Sequence, residues 1–261
     1  MMLKILKYSF FDLMRSRWSY IYFLFYLALG FVLLFLNNDV SKAVITLMNV
    51  IIILVPLIGT IFGVMYYYNS KEFTELLLAQ PVKRSSIFLG QYLGVSVSLG
   101  LCLVLGLGIP FALYGLFKSD AIWDFSLLLV TGAFLTFIFT ALSFNIALSN
   151  ENKIKGFGYA VLLWLFLAII YDGLFLLSLI VFGDYPLDVF SLGATVFNPI
   201  DLSRTLILLK LDISALLGYT GAVFKTFFGT GLGLLVSLGM LILWTLLPIW
   251  RMVHKSKRKD F

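Results

Sequence analysis

Six apolar runs, each long enough for a helix to cross a hydrocarbon core of about 30 Å, leave this chain no water-soluble fold. They occupy residues 18–36, 44–67, 87–116, 125–148, 157–182 and 227–250. Charged residues make up 12% of the 261, against about 25% in soluble domains, so no polar shell could cover the apolar surface. The longest stretch between runs, 183–226, is too short for an ordinary independent domain. The expected product is all-α: one polytopic domain over residues 1–261 with six transmembrane helices. The first span is expected to be retained, because a charged amphipathic stretch precedes it and no small-residue cleavage site follows it.

Charge sets the expected orientation. With the N-terminus in the cytoplasm, alternation through six spans gathers Lys4, Lys7, Arg15, Arg17, Lys71, Lys83, Arg84, Lys153, Lys155, Arg251, Lys255, Lys257, Arg258 and Lys259 on one side. The other side keeps Lys42, Lys118, Arg204, Lys210 and Lys225, together with Asp39, Asp120, Asp124, Asp184, Asp188, Asp201 and Asp212. By the positive-inside rule both termini are cytoplasmic, and a multi-pass inner-membrane location is expected. The net charge of +6 lies beside the spans, where anionic lipid headgroups are nearer partners than nucleic acid.

Residues 1–16 alternate apolar and charged groups at helical spacing, which predicts an amphipathic helix in the membrane interface. Pro56 in the second run, and Gly94, Gly100, Gly106, Gly108 and Pro110 in the third, predict kinks or close helix contacts. Gly229, Gly231 and Gly233 predict a tight contact at the start of the last span. Within the outer segment 183–226, Asn198 can cap a helix with Pro199 at its first position and Asp201 in its first turn. Leu202, Leu206, Ile207 and Leu209 continue it towards Lys210, and a second short amphipathic stretch follows over 214–222. Both are too short to span, and are expected on the outer face or capping the bundle, with Asn198, Pro199, Asp201 and Arg204 offered to an outer partner.

Catalytic raw material is scarce. The single histidine, His254, sits in the basic tail, and the chain contains no HExxH, GxSxG or GxxxxGK[ST] motif. Cys102 stands alone in an apolar run and the methionines show no ligand-like spacing, so no metal site and no resident cofactor are expected. Asp172 is the one ionisable group well inside a span, a costly position. It is either functional or a helix-joining carboxyl bonded through Tyr171 or Trp164.

The most informative segment is residues 71–84, on the basic side between the second and third spans. It predicts a short helix with Glu72 and Glu75 exposed and Leu76, Leu77 and Leu78 packed inward, stopped by Gln80-Pro81 and followed by Lys83 and Arg84. A rigid helix at the base of a bundle can transmit force from a cytoplasmic partner. Equally, it can be an ordinary interfacial helix.

The run from Glu72 through Thr74, Glu75, Leu77, Leu78, Pro81, Val82 and Arg84 resembles the cytoplasmic motif of type-2 ABC exporter permeases. Leu-Leu-Ala-Gln-Pro-Val followed by Phe88-Leu89-Gly90 is similar, more narrowly, to the nitrous oxide reductase maturation permeases of the NosY family. Trp164-Leu165-Phe166 leading to Tyr171-Asp172, and Asn198-Pro199-x-Asp201-x-x-Arg204, extend that likeness. The resemblance implies a non-catalytic homodimeric permease whose partner ATPase binds ATP and Mg on the cytoplasmic side. It also implies an outer, periplasmic copper-handling protein, and contact with the ATPase through Glu72, Glu75, Leu76, Leu78, Pro81 and Arg84. Two other readings stand beside it: an ABC permease exporting a lipid, drug or other small substrate, and a secondary transporter using Asp172 for proton coupling.

Overall fold

The computed structural model describes residues 1–37, 40–119, 121–185, 187–210 and 219–258. Asp39, Asp120, Asp212 and Lys259 of the charge argument, and residues 214–218 of the second outer stretch, lie outside the described residues. All regular elements among the described residues are helical: α1 (Met2–Met14), α2 (Arg17–Asn37), α3 (Val40–Asn69), α4 (Lys71–Leu78), α5 (Arg84–Leu113), α6 (Ile122–Ser149), α7 (Lys153–Leu165), α8 (Tyr171–Val181), α9 (Asp188–Phe197), α10 (Pro199–Lys210) and α11 (Tyr219–Arg258). A 3-10 turn, Leu116–Lys118, and a π-helical turn, Phe166–Ile170, complete the set.

Six stretches are long and apolar enough to cross a membrane: Arg17–Asn37, Val40–Asn69, Arg84–Leu113, Ile122–Ser149, Lys153–Val181 and Gly231–Lys257. The chain is a multi-pass membrane protein. Most of these helices overrun the apolar runs that announce them, because helical hydrogen bonding continues through polar ends such as Arg84-Ser85-Ser86. The fifth is one span built from α7, the π-helical turn and α8.

The centre of the bundle is α3 against α6, with α5 and α10 packed beside them. Small residues let α3 and α6 approach: Gly59 lies against Thr136 and Thr140, and Gly63 against Ser143. Their hydroxyls are satisfied locally. Thr60 donates to the Pro56 carbonyl at 2.8 Å, Thr136 to that of Gly132 at 2.9 Å, and Ser143 to that of Thr140 at 2.8 Å. Phe88, Tyr92, Phe139 and Phe144 fill the remaining space and are fully buried.

The N-terminal helix does more than lie in the interface. Ile5, Ser9 and Leu13 on α1 are buried, and the helix rides along α5 over Gly90 and Gly94. A methyl group at Gly94 would lie 2.6 Å from the Ser9 Cβ and 2.9 Å from the Leu6 carbonyl oxygen, so only glycine admits α1 this closely. Gly106 plays the same part under Tyr26 of α2. Gly100, Gly108 and Gly231 face open space, so the expectation of close contact holds at Gly94 and Gly106 but not at these three.

The outer segment differs most from expectation. Helix α10 is no surface cap: Ile200, Leu202, Ser203, Thr205, Leu206, Ile207 and Leu208 are all buried, and the helix packs among α3, α6, α9 and α11. Together α9 and α10 form a re-entrant hairpin, entering the bundle and turning at Asn198. Such a turn at membrane depth is tolerable only if its backbone groups find partners inside the protein.

Candidate functional site

Those partners make up a polar cluster at the hairpin tip. Asn198 caps α10 as its sequence predicts, its Oδ1 accepting the Ile200 N–H at 3.0 Å. Its Nδ2 donates both to the Asp201 Oδ2 and to the Leu167 carbonyl oxygen, each at 2.8 Å. Leu167 sits in the π-helical turn, a conformation that disturbs the regular backbone ladder and suits a carbonyl that accepts from a side chain. The end of α9 is secured in the same way. Tyr171 donates through its hydroxyl to the Ala194 carbonyl at 2.7 Å, and Trp244 Nε1 to that of Val196 at 2.9 Å, satisfying groups a helix end leaves orphaned.

Arg204, one turn further into α10, closes the cluster electrostatically. Its Nη1 lies 3.1 Å from Asp172 Oδ2 on α8 and 3.4 Å from Asp201 Oδ1. One guanidinium therefore serves two carboxylates, leaving a formal charge of −1. The partner of Asp172 is thus neither of the two expected: Tyr171 bonds to Ala194, and Trp164 Nε1 donates to the Ile53 carbonyl at 3.2 Å. Arg204 holds Asp172 as an ion pair, joining the fifth span to the hairpin.

This geometry corrects the expected outer docking surface. Asn198 is fully buried, Asp201 is 8% exposed, and Arg204 turns towards Asp172. The four residues Asn198, Pro199, Asp201 and Arg204 come together as expected, but as the inner tip of a hairpin. The missed signal was apolar residues on every side of α10, since Ile200, Leu202, Leu206 and Leu208 cannot share one face. Among the described residues, no three His, Cys, Asp or Glu side chains converge as a metal site.

The second candidate region lies at the opposite end. Helix α4 follows α3 directly, with Ser70 between them and the Thr74 N–H bonded to the Ser70 carbonyl at 2.9 Å. Thr74 and Leu77 are buried, and the buried Gln91 of α5 donates through Nε2 to Thr74 Oγ1 at 2.8 Å. Phe73 stacks on Tyr8 of α1, their ring centroids 4.4 Å apart. Glu72 and Glu75 are exposed as expected, and Glu75 pairs loosely with Lys71 at 3.7 Å. Leu76 departs from expectation: it is 68% exposed, because an eight-residue helix resting on one side can bury Thr74 and Leu77 but not the residue between their turns. Leu78 is half-buried, Pro81 ends the segment, and Arg84 opens α5. The short helix is therefore clamped to α3, α5 and α1, and shows two carboxylates and a leucine outward.

No protein-family model matches the chain. Over 187 residues, 67% of its length, the chain is 27% identical to the probable ABC transporter permease protein NosY of Stutzerimonas stutzeri. The match spans 62% of that protein's length. It agrees with the resemblance carried by residues 72–90, and the chain is similar to an ABC transporter permease.

Proposed function

We propose that the chain is the membrane permease of an ABC transporter complex, passing ATP-driven movement from a cytoplasmic ATPase to the far side of the membrane. The observation that carries this reading is α4. A lever must be rigid and must protrude, and Gln91, Thr74 and the Tyr8–Phe73 stack supply rigidity while Glu72, Glu75 and Leu76 supply the protruding face. Movement of α4 would pull on α3 and α5 together. Since α3 packs on both α6 and α10, the hairpin lies within reach of the same displacement.

The similarity to the probable NosY permease supports assembly of the copper sites of nitrous oxide reductase as the process served. On this reading the chain is a non-catalytic homodimer in the inner membrane, ATP and Mg belong to the ATPase, and copper is handled by a periplasmic partner. The Asp172–Arg204 pair gives Asp172 a structural part, tying the fifth span to the hairpin.

The test is co-purification of the ATPase with Glu72→Lys combined with Glu75→Lys. Like charges across an interface should lower recovery by about tenfold or more, while Asp184→Lys at the other end should leave it unchanged. Equal recovery from both would place the coupling contact elsewhere. The copper assignment is read separately, in cells lacking the chain. Nitrous oxide reductase should there accumulate without its copper centres, and a fully metallated reductase would reject that assignment.

A further inference from the structure

One cavity belongs neither to α4's outer face nor to the hairpin. It lies where α1 passes into α2 beside the end of α3, has a volume of about 700 Å³, and falls within the range of about 300–1,000 Å³ usual for small-molecule sites. One end is polar, lined by Asp12, Arg15, Ser16 and Asn69; the other is apolar, lined by Trp18 and Phe62. Trp18 and Phe62 also line an adjoining apolar groove of about 330 Å³ that continues between α2 and α3 past Ile21, Phe25, Leu54 and Ile58. Polar chamber and apolar groove thus form one amphipathic cleft.

Three observations define its occupant. Asp12 and Arg15 are exposed, three residues apart, and among the described residues neither is in an ion pair, so the chamber offers one negative and one positive group. The Tyr66 side chain lines the same chamber although the residue is only 7% exposed, its hydroxyl buried beside Ser9 and Asp12 rather than turned into the open space. The groove is lined by residues facing outward from the bundle: Trp18 is 60% exposed and Ile21 56%. A molecule can therefore keep its tail in the bilayer while its head occupies the chamber.

We propose that this cleft binds one phospholipid with an ammonium-bearing zwitterionic headgroup, phosphatidylethanolamine, from the leaflet on the basic side of the bundle. Arg15 meets the phosphate, Asp12 meets the ammonium, and an acyl chain lies along Ile21, Phe25 and Ile58. An anionic headgroup would satisfy Arg15 but meet Asp12 with repulsion. A soluble phosphate compound would leave the groove unused. Bound there, the lipid would bridge α1, α2 and α3.

The test is native mass spectrometry of the full-length protein in mild detergent, stripped of lipid and then offered phosphatidylethanolamine, phosphatidylglycerol or inorganic phosphate. The expected result is a single retained phosphatidylethanolamine, bound about tenfold more tightly than phosphatidylglycerol. Asp12→Asn and Arg15→Gln should each lower that retention by about tenfold, the effect of losing one charge-assisted hydrogen bond. Both residues are exposed, so neither variant disturbs packing, and Arg15→Lys should keep most of the retention. Equal retention of phosphatidylglycerol, retention indifferent to both variants, or binding of inorganic phosphate alone would overturn the proposal. So would failure to hold any lipid together with a disulfide between two copies of an Ile21→Cys variant, since a second copy would then fill the groove.

Discussion

The two ends of this bundle are held by different physics. At the hairpin tip, α8, α9 and α10 are tied by charge and directed hydrogen bonds: Arg204 between two carboxylates, and Asn198 shared among a carboxylate, a carbonyl and an N–H. At the basic end, α1 and α4 are seated on α5 by close fit, with glycines that admit α1 and one neutral bond from Gln91. Polar clasps are specific but unforgiving, because removing one member strands the others. A steric seat is forgiving of charge and intolerant of volume. The hairpin tip is buried among apolar helices and must therefore carry its own partners, whereas α4 keeps Glu72, Glu75 and Leu76 exposed and has no such need.

The largest effect should come from breaking the clasp at its centre. Arg204→Met leaves Asp172 and Asp201 facing each other with no cation, and a fully buried pair broken in this way costs about 3–5 kcal/mol. Because both Arg204 and Asp172 retain some exposure, about 2–4 kcal/mol is the better expectation. The comparison sharpens with a second change: Asp172→Asn added to Arg204→Met removes the stranded charge and should restore much of the loss. Thermal unfolding in detergent measures both. If Arg204→Met unfolds at the parental temperature, the hairpin is held by its apolar faces and the contrast between the ends fails.

Much of this contrast is visible in the sequence, but its geometry is not. The six spans follow from apolar length alone, and the cap at Asn198 with Pro199 and Asp201 could be read because its partners lie two or three residues away. The Asp172–Arg204 pair spans 32 positions, and no local pattern reports which of two polar residues in different segments turns towards the other. A short helix carrying Asp and Arg reads as a surface element, and the error at 198–204 came from weighting those charges above the apolar residues around the whole of α10. Gln91 was missed for the opposite reason. It is one polar residue near the start of a long apolar run, and its role depends on Thr74, which only the turn at Pro81 brings alongside. Leu76 was misplaced because three consecutive leucines cannot share one helix face, a constraint that was legible.

A change of volume at the basic end should have an intermediate effect. Gly94→Val puts a branched side chain where even a methyl group would meet the backbone of α1, and overpacking of this kind costs about 1–3 kcal/mol. The consequence should be local release of α1 with the spans intact. A cysteine placed at Ser9, buried in the parent, should become reactive to a membrane-impermeant thiol reagent in the Gly94→Val background. If Ser9→Cys stays protected, α1 is anchored by its own amphipathic face rather than by its seat on α5.

The smallest effect on stability, and the one that best separates holding from transmitting, should come from Gln91→Met. The substitution nearly conserves volume, and it removes the 2.8 Å bond to Thr74 that ties α4 to α5. It also removes the Gln91 Oε1 atom, which is buried without a partner, so a loss and a relief oppose each other. Net stability should change by no more than about 1 kcal/mol, with the Thr74 hydroxyl still satisfied by its 2.8 Å bond to the Ser70 carbonyl. Attachment is another matter, because this buried bond links the side chains of α4 and α5 directly. On the proposed ABC reading, α4 should then yield under load instead of carrying it. Binding of the ATPase, which depends on the outward face of Glu72, Glu75 and Leu76, should survive. The efficiency with which ATP hydrolysis produces a change at the far side should fall. A fluorophore pair reporting hairpin movement against ATP turnover measures that ratio in the reconstituted complex. A ratio equal to the parent's would show that α4 needs only the close fit of Leu77 and Phe73 to act as a lever, and that the basic end works by packing alone.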